Sequence, residues 1–72
     1  MKVKNKIKIT VNGKQKQIIP RLSMRNLITK LKMPVNKIAI ELNKKIIDKK
    51  QISKIQLKKD DKVEIVHFIG GG

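Results

Sequence analysis

The chain has 72 residues, a formal net charge of +14 and no cysteine. This length suits one small domain, and without cysteine the chain can form neither a disulfide nor a thiolate metal cluster. No apolar stretch approaches the roughly 20 residues of a membrane span, and the alternating N-terminal residues do not resemble a signal peptide, so we expect a soluble, cytoplasmic protein without membrane contacts.

The first predicted elements form a β-hairpin. Apolar and polar residues alternate strictly over residues 7–11, which indicates a strand with one buried face. Asn12-Gly13 follows at once, and this dipeptide favours the type I′ turn of a tight hairpin. The return strand is expected to run from residue 14 to about residue 19, because Pro20 ends it.

A single helix is predicted next. Ser23 has the character of an N-cap, and Leu22 and Leu27 are placed to form a hydrophobic staple around it. The helix must end at or before residue 33, because Pro34 disfavours helical geometry in the residue before it. Its apolar stripe has the spacing i, i+3, i+4 and i+7 and consists of Met24, Leu27, Ile28 and Leu31.

The second half of the chain is predicted to contain further strands at residues 38–42, 46–47 and 62–68. Residues 48–57 show no regular pattern, and a turn is expected at residues 59–62. Three apolar side chains of the irregular segment are expected to fold back onto the core: Ile52, Ile55 and Leu57.

The order hairpin, helix, strand, short strand, loop and final strand predicts an α+β fold. One helix across one face of a mixed sheet of four to five strands buries a single helical stripe and several one-sided strands economically. This is the order of a β-grasp, ubiquitin-like domain, with the last strand inside the sheet. We expect residues 1–69 to form this domain and residues 70–72 to form a flexible glycine tail.

Alternation along the last strand predicts which side chains are exposed. Glu64 should face water, so Val63 and Ile65 face the helix. The apolar residues that follow then emerge on the open face of the sheet and predict a docking patch. Its residues are Val66, Phe68 and Ile69. The alternative is that residues 48–57 or an oligomer neighbour cover these side chains.

The sequence offers no catalytic or metal-binding constellation, so we expect neither enzymatic activity nor a bound cofactor. His67 is the only histidine, and it has no cysteine or acidic cluster to complete a site. Asp60 and Asp61 are adjacent in a predicted turn and are interpreted as turn formers.

The strong positive charge does not by itself predict a nucleic-acid partner. Arg21 and Arg25 are the only arginines, and Phe68 is the only aromatic residue. The chain therefore has few side chains that could make bidentate contacts to guanine or stack on bases. The abundance of lysine, isoleucine and asparagine is also what A/T-rich codons would produce, and an acidic protein partner is a further alternative.

Four segments resemble the ThiS sulfur carriers of thiamine biosynthesis, which are ubiquitin-like proteins with a C-terminal diglycine. Residues 7–13 (IKITVNG) resemble the first strand and turn of that family, and residues 23–28 (SMRNLI) its helix start. Residues 38–43 (IAIELN) resemble its "AVALN"-type strand, and residues 61–72 its "GD-x-VEIV…GG" ending. Asp60 departs from the pattern, since the family often has glycine there.

The resemblance implies a carrier, expected to be monomeric when free, that other enzymes modify. A ThiF-like adenylyltransferase would use ATP and Mg²⁺ to adenylate the carboxylate of Gly72, with Gly70 and Gly71 as the flexible tail. Sulfur from a donor such as a cysteine desulfurase relay would convert the adenylate to a thiocarboxylate. A ThiG-like thiazole synthase would then receive that sulfur.

Two alternatives remain open at this point. The small subunit of molybdopterin synthase, MoaD, shares the fold and the thiocarboxylate chemistry, but it usually has a proline before its diglycine, and residues 66–69 contain none. A small basic RNA-binding β-grasp module would instead depend on its lysines and not on its tail.

Overall fold

The computed structural model describes residues 5–68 of the chain. Two short 3-10 turns, Val35–Lys37 and Lys49–Gln51, lie before the third strand and after the fourth. The regular elements of the described part are, in chain order, β1 (Ile7–Val11), β2 (Lys14–Ile18), α1 (Met24–Lys30), β3 (Ile38–Leu42), β4 (Lys45–Ile46) and β5 (Lys62–His67).

The strands form one mixed sheet in the order β2-β1-β5-β3-β4. β1 and β5 pair in parallel, whereas the other neighbouring strands are antiparallel. β5 therefore lies at the centre of the sheet, as the sequence predicted. The predicted β-grasp architecture, with one helix across one face of a mixed sheet, is confirmed.

The core lies between α1 and one face of the sheet. β5 alternates between exposed and buried positions over its first four residues, as predicted, and in the neighbouring β3 Ile38 and Ile40 are buried while the other residues are partly exposed. Residues 48–57 also contribute, because Ile52 and Leu57 are buried and Ile55 packs against the core. The buried apolar side chains are Ile9, Val11, Ile18, Leu22, Met24, Leu27, Ile28, Ile38, Ile40, Ile52, Leu57, Val63 and Ile65.

The start of α1 is capped by its own N-cap and by the distant loop. The Ser23 hydroxyl accepts a hydrogen bond from the Asn26 amide at 3.0 Å, as predicted. The two amides before it, which have no partner within the helix, donate to loop carbonyls instead: Met24 to Ile55 at 2.8 Å and Arg25 to Ile52 at 3.1 Å. Of the helices that the structure describes, none is long and apolar enough to cross a bilayer.

Three predicted boundaries were shifted by one residue. β2 ends at Ile18 and not at residue 19, and β4 spans Lys45–Ile46 where residues 46–47 were predicted. β5 ends at His67, although the Phe68 amide still donates to the Lys37 carbonyl at 2.7 Å. The pairing thus continues one residue beyond the regular strand.

Both tight hairpin turns use backbone with positive φ. Asn12 and Gly13 have φ of 50° and 83°, which confirms the predicted type I′ geometry of the first turn. Asn43 and Lys44, between β3 and β4, have φ of 52° and 71°. Asp60 has φ of 68°, which explains why glycine suits this position and why aspartate, which tolerates the left-handed region better than most residues, replaces it here.

We expect Lys44→Gly to stabilise the protein. Left-handed geometry costs a residue with a Cβ about 1–2 kcal/mol, and glycine avoids this cost. Glycine also makes the unfolded chain more flexible, which offsets about 0.4–1 kcal/mol of the stabilisation. The net increase in the free energy of unfolding should be about 0.5–1 kcal/mol, measured by urea denaturation. Lys45→Gly is the matched control. Lys45 lies in β4, where glycine weakens a strand, so this change should lower the stability of the protein. A loss of stability in Lys44→Gly would contradict the strain assigned to this turn.

Candidate functional site

The candidate site lies at the C-terminal end of β5, the central strand. Val63 and Ile65 are buried beneath α1, and Glu64 is exposed, as the alternation predicted. Val66 is 60% exposed and Phe68 is 48% exposed on the opposite, open face of the sheet. The last apolar side chains of the described strand therefore contribute little to the core.

Val66 and Phe68 form an exposed apolar surface, here called the open-face patch. Val66 is directly opposite Ala39 of β3, which extends the apolar surface across the neighbouring strand. Ile69, the third predicted docking residue, lies outside the described residues. The docking role of the patch stays a prediction, but its exposure on the described chain is what such a role requires.

Lys49, in the loop after β4, lies close to Phe68. The Lys49 ammonium lies 5.5 Å from the centroid of the Phe68 ring, in cation–π geometry. About half of the Phe68 side chain remains exposed despite this contact. The alternative that residues 48–57 bury the patch is therefore wrong for this chain by itself, and Lys49 is a neighbour of the patch that the sequence did not reveal.

Two asparagines fasten the hairpin turns to β5 and so position the patch. The Asn12 side-chain carbonyl accepts a hydrogen bond from the Ile65 amide at 2.7 Å. The Asn43 side-chain carbonyl accepts one from the Lys62 amide at 2.9 Å, and its amide group donates to Asp61 at 3.0 Å. The sequence indicated Asn12 only as a turn residue and did not reveal either contact, because the partners of both asparagines are far away along the chain.

Gly70, Gly71 and Gly72 lie outside the described residues 5–68, as does the boundary that was predicted between the domain and its tail. The roles assigned to them stay predictions. His67 is exposed, as expected of a solvated strand-end histidine. In the described part of the chain, no group of three or more metal-ligating side chains occurs.

The family comparison covers both the sheet and the tail. The model described as "ThiS family" matches residues 9–72. The chain belongs to the ThiS family. This confirms the resemblance that the strand patterns and the diglycine indicated, and the match includes Gly71 and Gly72.

The relatives that this chain resembles include a sulfur carrier and thiazole synthases. The "Sulfur carrier protein ThiS" of Bacillus subtilis is 53% identical over 38 residues, which are 51% of this chain and 58% of that protein. The "Thiazole synthase" of Magnetococcus marinus is 33% identical over 66 residues, or 92% of this chain. Those residues are 20% of that protein, so this ThiS-family chain spans about a fifth of the thiazole synthases that it matches.

The fold is shared with a solved ThiS structure. The crystal structure of the thiamine biosynthesis protein (ThiS) from Geobacter metallireducens superposes with a TM-score of 0.80 at 29% identity. The superposition covers 92% of this chain and 100% of the other. The five-stranded β-grasp of this chain is therefore the fold of that ThiS structure.

Proposed function

We propose that this ThiS-family chain is a sulfur carrier whose Gly72 carboxylate is converted to a thiocarboxylate for thiazole formation in thiamine biosynthesis. The observation that carries the proposal is the match of the ThiS family to residues 9–72, which extends through the diglycine. The name of the Bacillus subtilis relative, a sulfur carrier protein, supports the same role. The molybdopterin alternative has no comparable support.

In the proposed chemistry, the carrier supplies a carboxylate and the enzymes act on it. A ThiF-like adenylyltransferase joins the Gly72 carboxylate to AMP with ATP and Mg²⁺, releasing pyrophosphate. A persulfide on a donor such as a cysteine desulfurase relay then attacks the acyl carbon and displaces AMP, which forms an acyl disulfide. A second thiol of the donor cleaves that disulfide, releases the thiocarboxylate and leaves a disulfide on the donor. Glycine suits this end of the chain because no Cβ obstructs the approach of a partner's active site to the acyl carbon.

A thiazole synthase is the proposed recipient of the sulfur. Thiazole synthases of two bacteria contain a region similar to 92% of this chain. A carrier-like region within the acceptor enzyme supports a direct transfer between the two. We propose that this transfer takes place in the cytoplasm and that the carrier itself catalyses none of the steps.

The open-face patch is the proposed docking surface for these enzymes. Val66 and Phe68 place exposed apolar area immediately before the tail, so a partner that holds the patch also holds the start of the tail. Aromatic side chains at such positions contribute strongly to protein interfaces. The asparagine contacts hold β5, the strand that leads into the patch, to the two hairpin turns.

Intact-mass spectrometry tests the proposed modification. The intact mass of the purified chain is first measured to verify a free carboxylate at Gly72. The chain is then incubated with a ThiF-like adenylyltransferase, ATP, Mg²⁺ and a sulfur source. We expect a mass increase equal to the difference between sulfur and oxygen. A variant lacking Gly71 and Gly72 is the control and should gain nothing.

Two results would contradict the proposal. One is an unchanged mass of the intact chain after incubation with an adenylyltransferase that modifies another ThiS carrier under the same conditions. The other is RNA binding that persists in the truncated variant and weakens steeply as salt increases, which is the behaviour of a basic RNA-binding module.

A further inference from the structure

Two carboxylates face each other on the open face of the sheet. Glu41 of β3 and Glu64 of β5 are register partners, so their side chains point to the same side of the sheet. Directly opposite residues on antiparallel strands have Cβ atoms about 5 Å apart. Glu41 is partly exposed and Glu64 is exposed.

This pairing opposes folding and is unexpected for the composition. Like charges directly opposite each other on a sheet are destabilising. The chain has 5 acidic residues against 19 basic ones, yet two of the five meet here. Neither carboxylate takes part in the side-chain hydrogen bonds found within residues 5–68. Violations of a local rule without a structural gain are expected at functional surfaces.

Apolar side chains lie on both sides of the carboxylates. On β4, Ile46 is directly opposite Glu41 and is 81% exposed. Toward the C-terminal end of β5, Val66 lies directly opposite Ala39 of β3. This pair begins the apolar surface that continues to Phe68. Lys62 precedes Glu64 by two positions on the same strand face, at the end away from the patch.

This arrangement places two carboxylates between apolar side chains of β3, β4 and β5, with Lys62 at one end, in a protein that is otherwise strongly basic. We propose that the ThiF-like adenylyltransferase docks on this face with an arginine side chain inserted between Glu41 and Glu64, and with apolar residues against Ile46 and Val66. A guanidinium fits best, since its planar fork of donors can bond two carboxylates at once. The inference rests on the docking face proposed above and specifies the chemistry of its partner.

An arginine of the partner also explains why two carboxylates are paired unfavourably in the free carrier. In the free carrier, Glu41 and Glu64 repel each other, and a partner's arginine removes that repulsion on binding. Charge complementarity at an interface selects the correct partner and disfavours surfaces without the matching charge. A partner that presented an acidic surface to this face would be rejected, even though the carrier as a whole is basic.

The direction of the affinity change tests the inference. Binding of a purified ThiF-like adenylyltransferase to the wild type, to Glu41→Gln, to Glu64→Gln and to the double variant is measured by isothermal titration calorimetry. We expect the double variant to bind at least about tenfold more weakly, because charged pairs that are desolvated at an interface contribute strongly. Urea denaturation should show equal or greater stability, because the repulsion is gone.

Asp60→Asn is the matched control. It removes one negative charge from an exposed turn away from this face, and asparagine also tolerates positive φ. If only overall attraction to an acidic enzyme mattered, every one of these variants would bind more tightly, since each makes the carrier more positive. The inference requires the opposite sign for the two glutamates and little change for Asp60→Asn.

The outcomes separate this inference from the proposed function. If Val66→Asp abolishes binding but the double glutamine variant binds as well as the wild type, the arginine inference is overturned and the docking face stands. If binding and stability of the double variant fall in parallel, the glutamates are structural and the inference is also overturned. If the adenylyltransferase neither binds nor modifies the wild type, the proposed function fails and the inference fails with it.

Discussion

Replacing Phe68 by aspartate should reduce adenylation of the carrier at least about tenfold, because a central aromatic side chain at an interface commonly contributes about 2 kcal/mol or more. Phe68 is about half exposed, and the Lys49 ammonium lies 5.5 Å from the centroid of its ring. An aspartate in its place can still pair with Lys49. The free energy of unfolding should therefore change by less than about 1 kcal/mol.

The measurement is pyrophosphate release by a ThiF-like adenylyltransferase at several carrier concentrations, with urea denaturation of each variant beside it. Ile19→Asp is the matched control, since Ile19 is 43% exposed and follows β2 at the far end of the sheet. It introduces the same charge on a side chain of similar exposure. Equal losses of adenylation in both variants, or a loss of Phe68→Asp activity that follows its loss of stability, would remove Phe68 from the docking surface.

Replacing Leu27 by alanine should destabilise the protein by about 2–5 kcal/mol, the range for a buried leucine that leaves a cavity. Leu27 is completely buried on the face of α1 that packs on the sheet. Single domains gain only about 0.05–0.15 kcal/mol of stability per residue. For 72 residues this single change removes a large share of the stability of the folded state.

Urea denaturation followed by circular dichroism gives the free energy of unfolding. Thr29→Ala is the control on the same helix, because Thr29 is exposed and alanine is the better helix former. Its effect should stay within about 0.5 kcal/mol. A cost below about 1 kcal/mol for Leu27→Ala would mean that α1 is not packed tightly on the sheet. Modification of Gly72 in this variant should decline only in proportion to the unfolded fraction.

The elements that the sequence predicted well are those with a local signal. Alternation over residues 7–11 and the Asn12-Gly13 turn determined the first hairpin. Ser23 and the apolar stripe after it determined the start and the buried face of α1. Alternation in β5 also separated the core residues from the open-face patch, since each strand residue faces opposite to its neighbours.

The irregular segment shows where local signals end. Residues 48–57 have no periodicity, and the sequence indicated only that their apolar side chains would be buried. The structure adds a 3-10 turn, two backbone caps on α1 and the position of Lys49 over Phe68. These contacts join residues that are distant along the chain, so the local sequence around each residue does not indicate them.

By itself, the sequence determined the β-grasp order, the ThiS-family ending and the exposed side chains of β5. Only the tertiary structure decided which residues meet across strands. The hydrogen bonds from β5 to Asn12 and Asn43, and the opposition of Glu41 and Glu64, depend on the pairing register. Register is set by the packing of the whole sheet against α1, because a slip of one residue would turn every core side chain toward water.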